Sequence, residues 1–291
     1  MFDPRRHAVR PDLADSRLAD LLPEDHPVVD GAVEQVIAPV VPIFAQPSAR
    51  VERASEALLG ERVMVFEDRE GFSWCQLQSD GYVGYIPTAA LSPELSEPTH
   101  RVQALRTFVY ADPDFKSPVS AALFMGSEVN VSATDPDGFS QIADGEWVFS
   151  AHLTGVSTRA ANPVVVAETF LHTPYLWGGR SSLGLDCSAL TQLAFAACGL
   201  ELPRDSDLQE AEDVAWLEDR PGTDWADAQR GDLLFWPGHV ALLAEPGGLI
   251  HASAHAMAVV REPLAEAVAR IEASGVGQPS LLRRPRSGEG A

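Results

Sequence analysis

Two stretches about 66 residues apart carry one pattern, and that internal period restricts the first half of the chain more than any other feature. LLGERVMV at 58 to 65 lines up with FMGSEVNV at 124 to 131, placing Gly60 on Gly126, Val63 on Val129 and Val65 on Val131. The same shift lays VVPIFA over LRTFVYA, and with one residue of slippage it brings Gly71-Phe72 against Gly138-Phe139. From about Gly31 to residue 158 the apolar residues form short alternating runs between turn residues, with no helix-length period. The expectation is two copies of one small all-β barrel, 31–95 and 96–158. Each copy is short enough that it should lean on a neighbour to complete its core. Residues 1–30 are polar, with one amphipathic stretch at Leu18, Leu21 and Leu22, and read as an arm on the folded body.

Past residue 160 the period changes. Residues 163–171 and 187–198 read as helices, the second with Leu190, Leu193, Ala194 and Ala197 on one face and Gly199 as terminator, and a third helix is expected around 206–217. Consecutive antiparallel strands follow at 233–236, 239–244, 249–254 and 257–262, then a helix near 264–273 and a strand near 280–284. Residues 159–285 therefore form one α+β domain, helices first and sheet second, with 286–291 as a tail.

Composition excludes some partners. With 42 acidic against 21 basic side chains the formal charge is -21, and no basic stripe offsets it, so a nucleic-acid partner is not expected. The opening residues hold charges throughout, without the apolar core of a secretory signal, and no run approaches the ~20 apolar residues of a membrane span. A cytoplasmic protein is expected. Cys75, Cys187 and Cys198 are odd in number and spaced unlike a disulfide frame or a zinc knuckle, which fits a reducing compartment. Oligomeric state is not readable.

Candidate chemistry centres on Cys187. Asp186 can cap the helix that begins there, and a thiol in a first helical turn meets unpaired amides and the positive dipole end, which favour the thiolate. Those amides could also hold an oxyanion. Such a cysteine is either a nucleophile or a buried structural thiol, and Asp-Cys-Ser alone does not separate the two; Cys75 and Cys198 read as structural. His239 and His251 lie at about equal distances from the Pro246-Gly247-Gly248 turn, so both rings can share one sheet face, as a base and its orienting partner do. The other six histidines have no comparable setting, and no closely spaced ligand pair suggests a metal site.

The segment TPYLWGGRSSLGLDCSAL at 173 to 190, with LPRDSDLQ at 202 to 209, GDLLFWPGHVALL at 231 to 243 and LIHASA at 249 to 254, resembles the NlpC-type cysteine peptidases, papain-like bacterial enzymes that cut cell-wall peptides. The resemblance implies a papain-like catalytic domain with Cys187 as nucleophile, His239 as general base, His251 as orienting residue and no cofactor. By the same resemblance Tyr175 contacts the reacting centre, Gly178 and Gly179 allow close backbone approach, and Asp186 and Ser188 line the substrate site. Trp177 reads as ordinary packing. Ala189 stands where the family usually has Gly.

Two SH3-like barrels ahead of such a domain resemble the γ-D-glutamyl-L-diamino acid endopeptidases. That subgroup implies a murein stem peptide with a free N-terminal L-Ala as substrate, Tyr82 and Glu56 from the first barrel beside its amine, and Asp205 and Ser206 assisting. Because such a peptide is anionic, Arg180 and Arg204 are the nearest candidates for local positive charge, unless they are surface residues. Two alternatives stay open: an amidase or acyltransferase using the same three residues, or a catalytically inert peptide-binding module.

Overall fold

The computed structural model describes residues 2–142, 145–220 and 225–286. The chain divides into two compact units, at Thr158/Arg159. The tail expected at 286–291 lies, apart from Arg286, outside the described residues.

The first unit is built from β-strands. Its first module is a seven-stranded sheet in the order Arg53–Leu58, Val40–Phe44, Val83–Pro87, Phe72–Leu77, Arg62–Arg69, Ala32–Val36, Leu91–Ser92. Alternation within these strands turns Val36, Val41, Ile43, Val63, Leu77 and Ile86 into one core. A second module follows, with a five-stranded and a three-stranded sheet and its own core of Val102, Val109, Leu123, Val129, Val148 and Leu153, against which Leu59 of the first module packs.

The repeat seen in the sequence is also a repeat of backbone hydrogen bonds. Gly60 N–H donates to Val36 O and Gly126 N–H to Val102 O; Glu61 N–H closes a turn on Leu58 O, as Ser127 N–H does on Phe124 O. Gly60 and Gly126 hold φ of +88° and +96°, which only glycine adopts without strain. A Cβ at Gly60 would also stand 2.4 Å from the Glu128 carbonyl oxygen, so the close approach of the two modules requires glycine there.

The N-terminal arm packs on the first module. Val83 N–H donates to Arg5 O, Ala8 joins a cluster with Phe66, Trp74 and Val83, and the Arg10 guanidinium lies 4.3 Å over the Trp74 ring while pairing with Glu67.

The second unit holds α1 (Pro163–Thr169), β1 (Arg180–Ser181), β2 (Gly184–Leu185), α2 (Cys187–Ala197), α3 (Ser206–Ala211), β3 (Leu217–Asp219), β4 (Leu233–Trp236), β5 (His239–Glu245), β6 (Gly248–Ser253), β7 (Ala258–Pro263), α4 (Leu264–Ala273) and β8 (Leu281–Pro285). Six of these strands form an antiparallel sheet in the order β3-β8-β4-β5-β6-β7. Asn162 caps α1 through Val164 N–H, with Pro163 pre-set for the first helical position. Helix α2 lies against β5 and β6, whereas Leu264, Ala267 and Ile271 of α4 share a core with Leu234, Ala241, Leu243 and Leu249. Among the described residues no helix is long and apolar enough to cross a membrane.

Helix α3 is shorter than expected. It stops at Ala211 rather than 217, because the buried Arg283 of β8 donates to the carbonyl oxygens of Gln209 and Glu212, both at 2.8 Å, which a continuing helix would use for its own ladder. The residues beyond instead supply β3, which pairs with β8.

Candidate active site

Helix α2 begins at Cys187, and Asp186 is its cap: the carboxylate accepts from Ala189 N–H at 2.9 Å and also from Gly178 N–H at 3.0 Å. Arg204, 1% exposed, donates to both oxygens of that carboxylate at 2.9 and 2.8 Å, to Ser188 Oγ at 3.0 Å and to Gly179 O at 3.2 Å. A buried bidentate pair of this kind fixes the helix start against the Tyr175–Gly179 turn. Gly178 takes φ of +69°, and a Cβ at Gly179 would stand 2.3 Å from Gly184 O, so both glycines are required for that approach. Gln209 of α3 ties the other side of α2, accepting from Thr191 Oγ1 and donating to the carbonyl oxygens of Ser188 and Pro203.

The Cys187 sulfur accepts from the N–H groups of Val240 and Ser188, and with Arg204 these favour its charged form. Burial is the larger effect, and with Asp186 it pushes the thiol up to about 12. The helix-start amides act in the expected direction, toward the thiolate, but are outweighed by the loss of water. Tyr175, half-buried and within electrostatic reach of Cys187, is held protonated by burial first and then by Cys187 and Asp186.

His239 opens β5, after a two-residue turn in which Gly238 takes φ of +75°. The register Leu242↔Ile250 carries His251 to a point across from Ala241, two residues from His239 and on the same face. The rings meet there, His239 Nε2 lying 2.7 Å from His251 Nδ1. Burial, then His251 and Arg270, hold His239 down at about 3, against the pull of Glu262. At neutral pH the site therefore contains an uncharged imidazole and an uncharged thiol.

The line of polar groups continues beyond the residues expected from the sequence. His251 Nε2 lies 2.7 Å from Glu262 Oε1 on β7, and Glu262 also pairs with Arg270 of α4. Contact with His251, then with Arg270, keeps the Glu262 carboxyl down at about 2. A signal for Glu262 existed: the residue facing His251 is Val260, and strand alternation returns Glu262 to the same face.

Other expected site residues fall differently. Asp186 and Ser188 spend their side chains on the helix cap and on Arg204. Asp205 and Ser206 stand, partly buried, at the start of α3. Tyr82 belongs to the core of the first module, and Glu56, 3% exposed, pairs with Arg53. Arg180 and Arg204 are both buried, at 5% and 1% exposure, so neither is a surface residue. Trp177 is 62% exposed, which corrects its reading as packing. Among the described residues no group of three His, Cys, Asp or Glu is placed to hold a metal ion.

A thiol at a helix start, hydrogen-bonded to the strand that begins with one imidazole of a hydrogen-bonded pair, is the equipment of a cysteine hydrolase. Comparison with known proteins agrees: residues 172–274 match the NlpC/P60 family and residues 43–91 the bacterial dipeptidyl-peptidase SH3 domain. The chain thus carries an NlpC/P60 domain, of the cysteine peptidase type, behind a bacterial SH3 domain. It is similar to dipeptidyl-peptidase 6 of Lysinibacillus sphaericus, 28% identical over 242 residues that cover 75% of this chain and 86% of that protein. A γ-D-glutamyl-L-lysine dipeptidyl-peptidase of Bacillus cereus is 27% identical over 229 residues, covering 68% of this chain and 66% of the relative. The fold matches a crystal structure of an NlpC/P60 family protein from Bacillus cereus at TM-score 0.70, covering 87% of this chain and 99% of the other at 20% identity.

Proposed function

We propose that the protein hydrolyses the γ-D-glutamyl to L-diamino acid bond of murein stem peptides with a free N-terminal L-Ala, in the cytoplasmic recycling of cell-wall peptides. The observation that carries this reading is the hydrogen-bonded pair His239–His251 on the strands beside Cys187, in a chain that is similar over 75% and 68% of its length to two dipeptidyl-peptidases. We infer further that the second β module is a second SH3-like barrel, supported by its repeated turn hydrogen bonds, and that the catalytic domain is papain-like. Three free thiols suit a reducing compartment.

In this reading His239 Nε2 is engaged by His251, so Nδ1 is the nitrogen left to take the Cys187 proton as the sulfur attacks the γ-carbonyl carbon. The oxyanion is held by amides at the start of α2. Collapse breaks the C–N bond, the proton passes from His239 to the departing amine, and a thioester remains. Water then attacks the thioester, its proton goes to His239 and on to the sulfur, and the acid is released. Tyr175, still protonated, can donate to the reacting carbonyl.

Incubation with L-Ala-γ-D-Glu-meso-diaminopimelate and with its N-acetylated form tests the proposal by mass spectrometry of the products. Cleavage of the free peptide alone is expected, and Cys187→Ala should lose at least about 10³-fold in kcat. Equal cleavage of both peptides removes the free-amine requirement; cleavage of neither removes the substrate.

A further inference from the structure

The His239–His251 pair does not by itself determine which ring nitrogen serves as the base. One proton lies between His239 Nε2 and His251 Nδ1, and two neutral arrangements satisfy that contact. In the first the proton belongs to His239 Nε2; His239 Nδ1 is then bare and able to accept, and His251 carries its own proton on Nε2. In the second the proton belongs to His251 Nδ1; His239 is then protonated on Nδ1, the wrong tautomer for a base, and His251 Nε2 is bare. What decides between them is the group facing His251 Nε2.

We propose that Glu262 is a positioning residue of this site: by accepting from His251 Nε2–H it holds both imidazoles in the tautomer that leaves His239 Nδ1 free to take the proton of Cys187. The inference rests on the reading of Cys187, His239 and His251 as the catalytic groups. The contact is close but not linear: His251 Nε2 is a buried nitrogen without an aligned hydrogen-bond partner, and the Glu262 carboxylate is what stands beside it. Glu262 Oε1 lies 2.7 Å from His251 Nε2, and His251 is 1% exposed, so water is not at hand to substitute for the carboxylate. In the second arrangement a bare nitrogen would face a carboxylate oxygen across that distance, two acceptors with no proton between them, which is strongly unfavourable in a buried setting.

The carboxylate is itself held. Arg270 of α4 pairs with Glu262, whose side chain is 19% exposed, and so keeps it charged and aimed along the line. Arg261, the preceding residue, turns instead to Glu168, so the charged groups at this end of the line are Glu262 and Arg270. When His239 becomes imidazolium during the reaction, the negative charge at the far end also stabilises it. Removing Glu262 removes the tautomer preference and leaves the positive Arg270 beside His251.

Two readouts that need no peptide separate this inference from the choice of substrate. Long-range ¹H–¹⁵N NMR of the wild-type histidine rings at neutral pH is expected to place protons on Nε2 of both His239 and His251. In Glu262→Ala, part of the His251 signal should move to the Nδ1–H tautomer, and iodoacetamide alkylation of Cys187 at fixed pH should slow about tenfold. With peptide, kcat of Glu262→Ala should fall about 10- to 100-fold with KM changed less than about twofold, the scale seen for partners that orient a catalytic or ligating imidazole. Glu262→Gln, which keeps an acceptor oxygen without the charge, should lose less. A wild-type spectrum with His251 protonated on Nδ1 overturns the inference, whatever the variants do. So does a Glu262→Ala protein whose kcat, alkylation rate and ring tautomers all match wild type. Failure of the peptide to be cleaved, with the tautomer and alkylation results as expected, counts against the substrate and in favour of the role of Glu262.

Discussion

Cys75 and Cys187 are both buried, at 1% and 7% exposure, and both thiols are pushed above their ordinary range mainly by loss of water. Their surroundings differ. Cys75 lies in the strand Phe72–Leu77 within the core of the first module, where Glu34 and Asp68 raise its pKa further and one amide, that of Ile86, opposes them. Cys187 has two amides and the Arg204 guanidinium on its side, and it lies against the strand that begins with His239. A helix start by itself is thus insufficient to give a resting thiolate in a dry site. What separates the two thiols is the set of donors around Cys187 and the histidine-bearing strand against which it lies.

Three measurements bear on that contrast. The largest effect is expected from Arg204→Met, which leaves Asp186 as a buried carboxylate without its cation: the second unit should lose about 3–5 kcal/mol in urea unfolding, while a loss under about 1 kcal/mol would mean that the helix start does not depend on this pair. Next, because the Cys187 thiol is uncharged until about 12, its alkylation rate should climb roughly tenfold per pH unit between pH 7 and 9, with Cys75 unlabelled in the native protein. A rate flat over that range would reveal a thiolate already formed and erase the likeness between the two thiols. The smallest effect belongs to Cys75→Ala, expected to cost about 1–2 kcal/mol through the cavity it leaves while kcat stays unchanged; a lost kcat would give the first module a role its core position does not suggest.

The sequence made the helices α1, α2 and α4 and the central strands legible because each has a clean apolar period and a cap or turn at its end. The pairing of His239 with His251 was legible from their equal distances to the turn, and the placing of Cys187 at a helix start from the capping Asp186. Helix α3 was overextended because its end is determined by Arg283, a residue more than 70 positions away that captures two of its carbonyls. Glu262 and Arg270 were missed for a related reason: each contact arises from strand register or helix docking, and neither residue stands near a motif. Trp177 was misread because exposure of an indole runs against the usual preference of the side chain.

The turn found in both β modules is built from different side chains. In the first module the Leu58 amide is satisfied by the Glu61 carboxylate, and in the second the Phe124 amide is satisfied by the Ser127 hydroxyl. A charged side chain and a neutral one do the same job at corresponding positions, beside glycines in the same backbone conformation. What the two modules share at this turn is a hydrogen bond and a glycine conformation rather than a residue type. Likeness between such modules is therefore better judged by asking which atom answers a given amide than by counting identical letters.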